Sequence, residues 1–112
     1  MKKSLANAVR AVVSKLVRKD YEGAAFLSRR VRLSKAEIES AIRAYGKTLI
    51  DPPGDAFDSA EVTRIRSSGN PRWSVVVPFW TKEEGRSDLS LEVTIIEEPT
   101  LTRVEIDNIH VL

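Results

Sequence analysis

The chain has 112 residues, 42% of them hydrophobic and 30% charged, and contains no cysteine. That length sets a single domain, 1–112, and the lack of cysteine excludes disulfides, thiolate nucleophiles and Cys-based zinc sites. The formal charge of +2 hides a division: residues 1–50 carry twelve Lys/Arg and four Asp/Glu (+8), residues 51–112 six and twelve (−6). Such polarity bears on partners and association, not on fold.

Residues 4–19 predict an amphipathic helix, with Leu5, Val9, Val12, Val13, Leu16 and Val17 on one stripe and Arg10, Ser14, Lys15 and Arg18 opposite. Asp20 is placed to cap a shorter helix over 21–29, with Tyr21, Ala24, Ala25 and either Leu27 or Ser28 facing in. Ser34 and Glu37 form a capping box that opens a third helix burying Ile38, Ala41, Ile42 and Tyr45, and Gly46 supplies its left-handed end. Asp51-Pro52-Pro53-Gly54-Asp55 is a loop, because proline removes backbone donors and fixes φ.

Beyond that loop the period changes to two. Residues 62–66 predict a peripheral strand; Trp73, Val75, Val77 and Phe79 share one face of a second, and Leu89, Leu91, Val93 and Ile95 one face of a third. Val104 and Ile106 begin a fourth, and Thr81-Lys82-Glu83-Glu84 before Gly85 suggests a capped helical turn between the second and third. The expected fold is α+β: three N-terminal helices packed on a mostly antiparallel sheet of about four strands.

Asp20-Tyr21-Glu22-Gly23-Ala24 after an apolar helix, and Val104-Glu105-Ile106-Asp107-Asn108-Ile109-His110 near the end, resemble the nuclear transport factor two-like superfamily. Trp80 to Leu89 is similar to a bacterial family of short, uncharacterised proteins. The superfamily resemblance implies a cone-like roll, here in reduced form, with a pocket between sheet and helices and frequent dimerisation through the sheet. This chain departs from that pattern. Only residues 30–33 separate the second and third helices, and the inward strand positions are all apolar, which favours a packed interior over catalysis.

His110, the sole histidine, is the one side chain suited to proton transfer near neutral pH. A regular last strand turns Asn108 and His110 inward. A bulge near Asp107-Asn108 turns Ile109 and Val111 inward instead, which burial of two aliphatic side chains at about 1.5–3 kcal/mol each favours. Tyr21, Tyr45 and His110 are the residues that a small-molecule pocket would use. Asp51, Asp55 and Asp58 lack the alternate spacing of a calcium loop, so neither a metal nor another cofactor is expected.

Arg29, Arg30, Arg32 and Lys35 form the candidate surface for an anionic partner. A winged-helix nucleic-acid reading is disfavoured because Glu37 and Glu39 occupy the first turns of the would-be recognition helix. Val76, Pro78, Trp80 and Ile96 share the parity opposite the apolar faces, so Val76, Trp80 and Ile96 are the candidate interface. No apolar run approaches the ~20 residues of a membrane span. Asn7, Arg10 and Ser14 interrupt the stretch where a secretory signal needs an apolar core. The expectation is a cytoplasmic, non-enzymatic module that engages a protein partner or itself, with a small-molecule pocket protein and a nucleic-acid binder as alternatives.

Overall fold

The computed structural model describes residues 1–28 and 33–112; Arg29, Arg30 and Arg32 of the candidate anionic-partner surface therefore lie outside the described residues. Three helices come first: α1 (Lys3–Val17), α2 (Tyr21–Leu27) and α3 (Lys35–Tyr45). The α1 stripe is buried at Leu5, Val9, Val12, Val13 and Leu16. Asp20 caps α2 by accepting from the Gly23 N–H, and the Ser34/Glu37 capping box opens α3. Gly46 ends α3 at φ 77°, the left-handed conformation that costs glycine least.

Five strands follow: β1 (Leu49–Ile50), β2 (Glu61–Ile65), β3 (Arg72–Thr81), β4 (Gly85–Glu97) and β5 (Thr102–Val111), with a short 3-10 turn at Ala56–Ser59. This is an α+β fold, and every strand pair is antiparallel. The sequence suggests about four strands; the fifth is β1, whose two residues pair with Thr81 and Trp80 of β3. The expected helical turn between β3 and β4 is instead a three-residue turn, Lys82–Glu84. Its Thr81 hydroxyl still accepts from the Glu84 N–H at 3.0 Å, as a cap would.

The strands run in the order β1-β3-β4-β5, with β2 sharing the β1 edge of β3. Three cross-strand rows face the helices: Trp73, Ile95 and Val104; Val75, Val93 and Ile106; Val77, Leu91 and Ile109. Six of these nine are completely buried, so aliphatic packing fills this side of the sheet. The bulge in β5 is present. Glu92 pairs with Asn108 and Val93 with Ile106, leaving Asp107 as the extra residue, and Ile109 turns inward. Val111 stays 56% exposed despite the shared parity.

Candidate functional site

Among the described residues, no helix covers the other face of the sheet. Alternation places four rows there: Arg72, Ile96 and Arg103; Ser74, Thr94 and Glu105; Val76, Glu92 and Asn108; Pro78, Ser90 and His110. This face is mixed in character. The Thr94 hydroxyl donates to Asp107 Oδ2 at 2.6 Å, and Arg103 pairs with Glu98 at 2.8 Å.

A second bulge shapes the site. Pro78 opposes Ser90 while Trp80 opposes Arg86, so β4 spends Ser87, Asp88 and Leu89 where β3 spends only Phe79. Pro78 also falls in the gap between β2, which pairs with β3 up to Val76, and β1, which begins at Trp80. A residue with no N–H is tolerated at such a gap beside a bulge. The interruption leaves a pocket of about 220 Å³ with Val76, Pro78 and Ser90 in its wall and exposed Glu61, Arg86 and Asp88 around it.

The pocket is tied to the helical layer through Ser87. Its hydroxyl accepts from Leu89 N–H at 3.1 Å and donates to Tyr45 Oη at 2.9 Å. Tyr45 in turn donates to Glu84 Oε1 at 2.5 Å, and the Thr81 hydroxyl donates to Glu84 Oε2 at 2.8 Å. The Tyr45 hydrogen bond, followed by that of Ser87, holds the Glu84 carboxyl below its ordinary value. The same Glu84 contact raises the Tyr45 phenol.

His110 shares the outer face, as the bulge requires. Its Nε2 lies 3.3 Å from Glu92 Oε2 but outside hydrogen-bonding alignment, so the contact becomes an ion pair only when the imidazole is protonated. Ser90, His110 and Glu92 are neighbours in the register, yet they do not form a nucleophile–base relay. The Ser90 hydroxyl is turned to the Asp88 carbonyl at 3.4 Å, and no hydrogen bond joins it to the imidazole.

The structure does not gather Tyr21, Tyr45 and His110 into one pocket. Tyr21 is buried among the helices, Tyr45 belongs to the Glu84 cluster, and His110 lies on the opposite face of the sheet. The candidate interface is also redistributed. Val76 lines the pocket, whereas Ile96 is already buried at 2% exposure and half-buried Trp80 packs against the edge of the core. Lys35 is exposed at the start of α3. Among the described residues, no group of three His, Asp or Glu is placed to hold a metal, and no helix is long and apolar enough to cross a membrane. Sequence reasoning missed Glu61, Arg86 and Asp88 around the pocket and Glu92 beside His110. The strand register brings them together, and only a correct placement of both bulges would have revealed it.

Three helices on one side of an antiparallel sheet, with the other side open and notched by a bulge, define a two-layer α+β fold. The chain belongs to the family described as Domain of unknown function (DUF7668), whose model matches residues 13–112. No curated protein and no solved structure matches the chain.

Proposed function

We propose that this domain is a non-enzymatic protein-binding module that uses the open sheet face, and that its partner is a second copy of the chain. The observation that carries this reading is the pocket at Val76 and Pro78, apolar in part and surrounded by charges of both signs. At about 220 Å³ it falls short of the roughly 300–1,000 Å³ typical of small-molecule sites. It suits one or two inserted side chains at the centre of a protein contact. Around it Arg86 stands with Asp88 and Glu61, a set that can pair with itself across a twofold axis.

The nuclear transport factor two-like resemblance points to dimerisation through the sheet, in line with this reading. It also points to a ligand pocket between sheet and helices, where the buried aliphatic rows leave little room. Sedimentation equilibrium between about 1 µM and about 500 µM tests the proposal. The expected result is a concentration-dependent dimer that Val76→Arg abolishes while the fold is retained. A monomer throughout that range, or a dimer indifferent to Val76→Arg, overturns it.

A further inference from the structure

The β5 bulge that sends Ile109 inward also sets His110 on the open face of the sheet, beside the pocket. Ser90, its cross-strand partner, and Pro78 of the same row are pocket walls; in the next row Val76 is a wall and Glu92 is its partner. We propose, resting on the dimer reading above, that protonation of His110 tightens that dimer and makes self-association of the chain responsive to mild acid.

The contact between His110 and Glu92 is incomplete in the single chain. The Nε2 atom is closed off from solvent and has no hydrogen-bond partner, although Glu92 Oε2 lies 3.3 Å away. Neutral imidazole carries one N–H, and with that proton on Nδ1 the Nε2 lone pair faces the carboxylate. The charged ring carries N–H on both nitrogens and turns the contact into an ion pair. The two side chains are 35% and 36% exposed, so in the single chain water screens the pair and it contributes little. A second copy seated on the pocket strips that water away. Burying a carboxylate without a partner is costly, and the protonated imidazole supplies the partner from within the same chain.

The surrounding charge acts in the same direction. To this end of the face β4 contributes Arg86, Asp88 and Glu92 and β2 contributes Glu61, three carboxylates against one guanidinium. From β3 only Val76 and Pro78 face it, β5 adds the uncharged Asn108, and no helix covers this side among the described residues. Glu105 and Asp107 lie farther along, beside Thr94, whose hydroxyl donates to Asp107. Two copies meeting about a twofold axis therefore bring like-charged surfaces together, and each protonated imidazole halves the anionic excess of its own copy.

A dimer that favours the protonated imidazole takes up protons as it forms. Its affinity therefore falls as pH rises through the range, about pH 5 to pH 8, in which imidazole loses its charge. His110 is the sole histidine, which ties such a change to one position.

Sedimentation equilibrium of the full chain at about pH 5.5, 6.5 and 8, at constant ionic strength, tests this. The parent dimer is expected to be about tenfold tighter at the lowest pH than at the highest. His110→Gln should give one dimer constant throughout. Glu92→Gln should dimerise more tightly than the parent at about pH 8, because it removes the carboxylate that must be buried. Circular dichroism of both variants checks that the fold is retained. A dimer constant that does not move with pH, or moves as much in His110→Gln as in the parent, overturns the proposal and leaves the dimer standing. So does a dimer that tightens as pH rises. A monomer at every pH up to about 500 µM overturns the dimer reading and this proposal together.

Discussion

Ser28 is fully buried, and its hydroxyl accepts from the Ile106 N–H at 2.9 Å. That N–H points from β5 away from β4, toward the side where the sheet has no further strand among the described residues. The hydroxyl thus stands in for a ladder bond and covers part of an edge that would otherwise invite pairing. Ser28→Ala should cost about 1–3 kcal/mol in urea unfolding, because it strands a buried donor. Ser34→Ala, which removes an exposed helix cap, should cost about 1 kcal/mol. The sequence leaves Leu27 and Ser28 as alternatives for the inward position. Hydrophobicity favours the leucine, yet Leu27 is 38% exposed and the serine is inside, since only the serine can satisfy the edge of β5. Lys19 was equally illegible: a left-handed conformation is readable in advance at Gly46, where glycine announces it, and not at a lysine. Phe79, the largest fully buried side chain, should cost about 3–5 kcal/mol on truncation to alanine, measured the same way.

At the scale of elements, the turn between β3 and β4 is the most heavily fastened. Glu83 accepts from the Thr48 N–H at 2.8 Å and from its hydroxyl at 3.0 Å, while Glu84 holds Tyr45 and Thr81. This turn therefore joins the end of α3, the approach to β1 and the central strand. Glu83 is lowered chiefly by the Thr48 N–H, Glu84 by the Tyr45 hydroxyl and Glu97 by Lys2, each from an ordinary 4.5. A lowered carboxyl stabilises the fold above its unfolded value, and that contribution is lost as pH falls through 4.5 toward the folded value. Tyr45 is raised above 10.0, so its contribution is present below that value and lost as pH climbs past it. Urea unfolding between about pH 6 and pH 3 should show declining stability, with a shallower slope in Glu84→Gln. The three helices and four long strands were legible because each carries its own periodicity and caps. The two-residue β1 was not, since nothing in Leu49–Ile50 marks a strand until Trp80 and Thr81 pair with it. Ile96 was misjudged because parity gives the face and not its cover: it is paired on one side with Arg72 and on the other with Arg103, and is buried there.

Across the whole molecule, the charge divides between the two halves of the chain and not between helix and strand: the helices hold five of the eighteen Lys/Arg and the strands six of the sixteen Asp/Glu, and much of the rest lies in the turns and loops. Lys2 spans the two, 3.0 Å from Glu97, which also accepts from the Trp73 indole N–H at 2.7 Å. Raising sodium chloride from about 0.1 M to about 1 M shortens the Debye length from about 10 Å to about 3 Å. The urea midpoint should therefore fall modestly; a rise would show that repulsion within the basic half outweighs attraction between the halves. The layer order was readable because the period changes at the Asp51–Asp55 loop. The pocket was not, since it exists only where the gap between β2 and β1 meets the bulge in β4.

The connectivity also sets an order of events at the ribosome. The strands that cover the apolar stripes of all three helices are encoded after them, and the helices pack chiefly over β5, which follows the other strands in chain order. At roughly 5–20 residues per second, residues 51–112 take about 3–12 s to follow the helical half. During that interval the nascent chain presents a strongly cationic, half-apolar segment beside an anionic RNA surface. The domain thus completes its folding only once β5 has emerged, and the interval before then is when it most needs shielding.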